Sequence, residues 1–156
     1  MRGVAKSKPN AWLVMNELDQ RQEQVIEEFS VFDDWMDRYS YLIELGKDLP
    51  LIPDSEKNDS TLIRGCQSKV WLNAFLKEGK LEFEADSDAI ITKGIIALLV
   101  RVISGLPPKE IMNANLYFID RIGLHENLSP TRSNGLAAMV KQIKMYALAY
   151  HTKMNG

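Results

Sequence analysis

Thiols are nearly absent from this chain. A single cysteine, Cys66, in 156 residues leaves no internal disulfide and no cluster or zinc site built from several thiolates. Imidazoles are scarce as well. His125 and His151 are the only two, and they show no metal-ligand spacing with Cys66. No apolar run reaches the about 20 residues that a bilayer span requires. The longest, 89–103, has 15 residues and contains Lys93 and Arg101. The apolar run 11–15 is too short for the core of a secretory signal. No glycine-rich phosphate loop, internal repeat or low-complexity segment is present, and Gly79 and Gly94 have plain structural readings as turn and helix glycines. A strong charge of one sign is missing too. The net charge of −2 argues against a nucleic-acid partner, for which a basic surplus is expected. Neither a membrane nor a nucleic acid is expected to bind.

What is present suits one domain of ordinary composition, long enough to bury ~70% of its unfolded surface without staples. Residues 1–16 carry Arg2, Lys6 and Lys8 and no acid; they are read as a flexible tail before a single domain over 17–156. The charges are unevenly placed. Residues 17–37 hold eight acids and one base, whereas 127–156 hold four bases and no acid. Such polarity either reflects solvated faces and mutual attraction or steers a protein partner.

Helices open the domain. Residues 17–29 read as one helix, and Ser30 is expected to cap a second in which Phe32, Trp35, Met36, Tyr39, Leu42 and Ile43 recur every 3 or 4 residues. Gly46 is read as its stop. Residues 48–60, with two prolines and five charges, are expected to form a surface loop. The period then changes. Residues 61–63, 70–76 and 81–85 read as strands, the last two joined by a three-residue turn over 78–80. The connections are too short for parallel crossovers. A buried helix is expected over 86–104, with Asp86 as its cap and Asp88 in its first turn. Gly105 and Pro107-Pro108 end it. Short helical pieces follow near 108–112 and 117–122. Ser129-Pro130 then opens a last helix, about 133–151, with Leu136, Met139, Val140, Ile143, Ala147 and Tyr150 as its buried stripe and Lys141 and Lys144 outside. The expected class is α+β: a small antiparallel sheet of about three strands covered by helices.

Cys66 sits in Arg64-Gly65-Cys66-Gln67-Ser68-Lys69, a polar stretch between two strands. Gly65 permits a tight turn. Arg64 and Lys69 would each favour a thiolate, and a reachable thiolate is reactive. A hydrolytic cysteine needs a histidine base. His125, beside Glu126 on a loop, is the candidate partner, and His151 near the end of the last helix suits the dipole there. A cation at the start of the last helix is disfavoured by that dipole, so Arg132 calls for a ligand or a carboxylate. Lys93, in an otherwise apolar helix, raises the same question, with snorkelling as the simple answer.

Three separated segments carry a resemblance. Residues Gly65-Cys66-Gln67-Ser68-Lys69-Val70-Trp71, Asp86-Ser87-Asp88-Ala89 with Lys93-Gly94, and Leu128-Ser129-Pro130-Thr131-Arg132-Ser133-Asn134-Gly135-Leu136 resemble the three motifs of the SufE family of sulfur acceptors. Tyr41 to Gly46 and Leu49-Pro50 match as well. The resemblance covers roughly 20–150, in order. It departs at Asn127, where the family often has histidine. It implies the α+β fold of the family, which is shared with iron–sulfur scaffold proteins. It also implies that Cys66 takes persulfide sulfur from a cysteine desulfurase, stimulates that enzyme and delivers the sulfur to an iron–sulfur scaffold protein. The supporting residues would be Arg132, Asp88, Gly65, Gln67, Ser68, Asp86 and Lys93, with Arg132 and Asp88 flanking the Cys66 loop. No cofactor is expected, because pyridoxal phosphate belongs to the desulfurase. A cytoplasmic monomer or weak dimer is expected. In the resting protein the thiol is expected to tuck into an apolar cavity beside the sheet. The rival readings are a thiol hydrolase with a Cys66–His125 pair, a carrier for another sulfur pathway, and a cluster scaffold, which a single cysteine opposes.

Overall fold

The computed structural model describes residues 15–155; most of the expected tail, 1–14, lies outside them. Helix α1 spans Glu17–Phe29 and begins where Asn16 accepts from the Asp19 N–H at 2.8 Å. Its buried residues Leu18, Gln22, Val25 and Phe29 recur at spacings of 3 and 4. Helix α2 spans Trp35–Gly46 and is capped by Asp34, which accepts from the Asp37 N–H at 3.0 Å. Ser30 does not cap it. It closes α1 instead, its hydroxyl donating to the Glu27 carbonyl at 2.6 Å, because Ser30 itself is still helical and the extended residue that precedes α2 is Asp34.

Strands β1, Val70–Lys77, and β2, Lys80–Ser87, pair antiparallel, with Lys77 opposite Lys80. The turn is therefore two residues, Glu78 and Gly79, both left-handed at φ 54° and 79°, as a tight hairpin demands. The expected third strand contributes only a bridge, Leu62 against Trp71. Gly65, at φ +96°, turns the chain away before a longer ladder can form. The 48–60 segment is less superficial than expected. Leu49 and Ile52 are buried, Leu51 bridges Ala85 in parallel, and Asp54–Glu56 form a 3-10 turn.

Helix α3, Ile90–Ile103, starts later than expected because Asp86 and Ser87 remain in β2. It is apolar nearly all round and fills the core. Its crossing with α2 is very close. A Cβ on Gly94 would stand 2.3 Å from the Leu42 carbonyl oxygen, and one on Gly46 would stand 3.3 Å from the Gly94 nitrogen. Gly46 is the last residue of α2, where the stop is expected, and it also makes room for the crossing; Lys47 caps the end in a right-handed conformation. Arg21 donates to the Val102 and Ser104 carbonyls at 3.0 and 2.7 Å, closing the C-terminal end of α3.

Short helices α4 (Pro108–Met112), α5 (Phe118–Arg121) and α6 (Leu124–Asn127) lead to the long helix α7, Pro130–Asn155. Ser129 accepts from the Arg132 N–H at 3.3 Å, and the helix runs past both expected ends. Leu136, Met139, Ile143 and Ala147 are buried, while Val140 and Tyr150 are half-buried. Lys144 is not free in solvent, since its ammonium reaches the Ala114 carbonyl at 2.6 Å. Tyr146 and Tyr150 donate to the Leu72 and Ala74 carbonyls of β1 at 2.8 and 2.9 Å, laying α7 along the sheet. The fold is α+β. No helix of the described residues is long and apolar enough to cross a membrane.

Candidate functional site

The Cys66 loop spans 64–69 and is held at three points. Gly65 lies on α7 so closely that a Cβ there would meet the Ala138 Cβ at 3.3 Å. Cys66 packs over Gly135, whose missing side chain leaves room for it: a Cβ on Gly135 would lie 3.5 Å from Sγ. At the far end, Asp88 accepts from the Lys69 N–H at 3.0 Å and returns its own N–H to the Lys69 carbonyl at 3.2 Å. Small residues on α7 and a carboxylate before α3 therefore fix the loop between two helix starts.

Cys66 is half-buried, and its thiol donates to the Gly135 carbonyl at 3.6 Å. Burial raises its pKa above the ordinary cysteine range. Arg64 and Lys69 are exposed, and burial outweighs any pull they exert toward the thiolate.

The thiol opens onto a cavity of about 350 Å³ lined by Gln67, Ser68, Thr92, Ile95, Ser129, Thr131, Arg132, Gly135 and Met139. The cavity lies between the loop and the first turns of α3 and α7. It is neither beside the sheet nor apolar as expected, because the polar first turn of α7 forms one wall and only Ile95 and Met139 supply apolar surface. Arg132 lines it, and among the described residues its guanidinium has no ion-pair or hydrogen-bond partner.

Gly65, Cys66, Gln67, Ser68, Asp88 and Arg132 are thus brought together. Asp86 and Lys93 are not. Asp86 belongs to β2 and takes Lys57 at 2.6 Å and Lys93 at 3.3 Å. It caps no helix. Burial pushes its carboxyl up, but the Lys57 hydrogen bond, the Ser87 N–H and Lys93 outweigh that and leave its pKa below the usual carboxylate value. Lys57 also lies over the Trp71 ring at 5.1 Å. Lys93 is held by this cluster.

His125 is exposed and lines a different cavity, with Leu116, Val140, Lys141 and Lys144. A Cys66–His125 pair is not formed: α7 stands between them, with Gly135 on one cavity and Leu136 and Ala137 on the other. Thr92 is the residue that sequence reasoning missed. The available signal was a hydroxyl one turn past Asp88 in a helix otherwise almost wholly apolar. Among the described residues, no three His, Cys, Asp or Glu side chains converge as a metal-binding group.

Residues 23–147 match the SufE family, described as the Fe–S metabolism associated domain. The chain belongs to the SufE family. An uncharacterised SufE-like protein of Rhizobium etli is 42% identical over 127 residues, which cover 78% of this chain and 86% of that protein. One of Rhizobium meliloti is 39% identical over 130 residues, covering 80% and 93%. A solution structure of a hypothetical protein from Thermus thermophilus superposes with a TM-score of 0.71 at 22% identity, covering 85% of this chain and 96% of the other. That likeness establishes the fold. Membership of the SufE family ties the chain to iron–sulfur metabolism.

Proposed function

We propose that this SufE protein accepts sulfur from a cysteine desulfurase on Cys66, stimulates that enzyme and hands the sulfur on for iron–sulfur cluster assembly. The observation that carries this reading is the lone thiol of the chain, half-buried against Gly135 in the family's own cysteine motif, at the mouth of a cavity whose guanidinium has no partner among the described residues. Pyridoxal phosphate belongs to the desulfurase, and this chain contributes the acceptor thiol.

The chemistry is an exchange at sulfur. The Cys66 thiol gives its proton to solvent, and the thiolate attacks the terminal sulfur of the desulfurase persulfide. A bond forms between Sγ and that sulfur. The partner's S–S bond breaks, and its electron pair leaves on the partner's cysteine, which takes up a proton. Delivery repeats the same step with an acceptor thiolate as nucleophile and Cys66 as leaving group. No external oxidant or reductant is consumed, and one cysteine suffices.

Burial opposes the first proton loss, so partner docking is the step that activates the thiol, by moving the loop off Gly135. The test is intact mass after incubation with a desulfurase and free cysteine. One added sulfur atom on Cys66 is expected. A chain that stays unmodified while the desulfurase turns over would refute the reading.

A further inference from the structure

Persulfidation changes what Cys66 needs from its surroundings. In the thiol, Sγ donates to the Gly135 carbonyl at 3.6 Å. Once a second sulfur is attached, Sγ carries no hydrogen, and that contact loses its donor. The terminal sulfur must lie elsewhere. An R–S–S–H group is also a stronger acid than R–S–H, so the added sulfur is an anion at neutral pH and seeks hydrogen-bond donors and positive charge.

The cavity beside Cys66 supplies both. Thr92 is 7% exposed and lines it. Its hydroxyl has no hydrogen-bond partner among the described residues. No fully enclosed side-chain oxygen or nitrogen lacks a partner there, so this hydroxyl opens onto the cavity. The guanidinium of the exposed Arg132 lines the same cavity and pairs with no described residue, the positive end of the long α7 helix adjoins it, and the lining contains no carboxylate. Gly135 keeps the space next to Sγ empty.

We propose that this cavity is an anion receptor for the terminal sulfur of the Cys66 persulfide, with the cavity-facing Thr92 hydroxyl as the donor that holds it. The inference rests on the sulfur-acceptor reading. Thiol and persulfide then use different partners: the Gly135 carbonyl accepts from the first, and Thr92 donates to the second.

The test avoids the desulfurase. Cys66 is loaded with inorganic polysulfide: its thiolate attacks a sulfur of the chain, an S–S bond breaks, and a shorter polysulfide anion leaves. Intact mass identifies the singly loaded protein. Cyanide then attacks the terminal sulfur, thiocyanate departs, and Cys66 returns as thiolate. Thiocyanate release from Thr92→Val is expected to be about tenfold faster than from the parent, as befits one lost hydrogen bond to a charged group. Thr92→Ser should stay within about twofold of the parent, since it restores the donor. Iodoacetamide should alkylate the unloaded thiol of all three at one rate, because the thiol state does not use Thr92. Equal thiocyanate rates in Thr92→Val and parent would overturn the inference. So would a Thr92→Val change that appears equally in the unloaded thiol, since that would mean a displaced loop. Failure of desulfurase transfer would sink the acceptor reading and leave this measurement standing.

Discussion

Two polar clusters lie near the end of β2, one around Asp86 and one around Cys66, and they are built on opposite rules. Around Asp86, charge is matched: Lys57 bridges Asp54 and Asp86, Lys93 completes the set, and Trp71 covers Lys57. Around Cys66, polar groups stand unmatched: Arg132 and Thr92 face a cavity with nothing to bind among the described residues. Both contain residues of the same family motifs, Asp86 being only two positions from Asp88. The difference sets up a contrast: a cluster whose charges pair within the chain adds to stability, and the groups beside Cys66 that pair with no described residue are the ones the proposed function uses. Removing members of each cluster separates the two roles.

The largest effect belongs to Cys66→Ser. Sulfur acceptance should be lost entirely, measured as mass gained on incubation with a desulfurase and cysteine, while the thermal midpoint stays within a few degrees of the parent. Arg132→Gln comes next. Sulfur transfer should slow by roughly tenfold or more, the cost of losing a charge-assisted contact, with thermal stability unchanged because the guanidinium has no partner among the described residues. A fall in melting temperature matching the fall in rate would place Arg132 among the structural charges.

Asp86→Asn should do the reverse, costing about 1–2 kcal/mol of stability in urea denaturation while transfer is nearly unaffected. The sign with pH follows from the depressed Asp86 carboxyl. Its contribution is present above the unfolded carboxylate value, about 4, and is lost as pH falls through the lower folded value. Parent and variant stabilities should therefore converge in acid. A gap that persisted at low pH would break the assignment.

The thiol itself gives a several-fold effect. Because burial raises the Cys66 pKa, iodoacetamide should react at neutral pH more slowly than with a free cysteine, and the rate should still be climbing above pH about 8.5, where an ordinary cysteine levels off. A free-thiol rate at neutral pH would mean that Gly135 does not restrain it. The smallest effect is none: His125→Ala should leave transfer unchanged, because α7 separates the imidazole from the thiol. A collapse of activity would revive the hydrolase reading.

Local signals were legible where a single element decides the outcome. The α1 period, the turn at Gly79 and the Ser129-Pro130 start all act within one turn of chain, and so do the residues of the Cys66 loop. Asp86 misleads because a carboxylate before an apolar helix looks like a cap. Its true partner, Lys57, is 29 positions upstream, and only the fold of the 48–60 segment delivers it. Gly46 ends α2 where the sequence suggests, but its other reason, the close approach of Gly94 on another helix, is not local. Thr92 shows in sequence only as a lone hydroxyl in an apolar helix; that the hydroxyl is unpaired is a property of the assembled cavity, since α7 must first pack against α3 before the residue has anything to face.

The tyrosines of α7 have a consequence for how this protein meets others. A sheet of two strands has two open edges, and open edges invite strand addition from neighbouring chains. Here Leu62 bridges β1 at one end, and the hydroxyls of Tyr146 and Tyr150 occupy its Leu72 and Ala74 carbonyls farther along. Leu51 and Leu106 bridge the outer side of β2. Each edge is thus bridged or bonded at several points by this chain's own groups, which leaves a visiting chain little uninterrupted ladder to extend. On the proposed function, a sulfur donor or acceptor would then meet this chain through side chains around the Cys66 loop and not by extending the sheet.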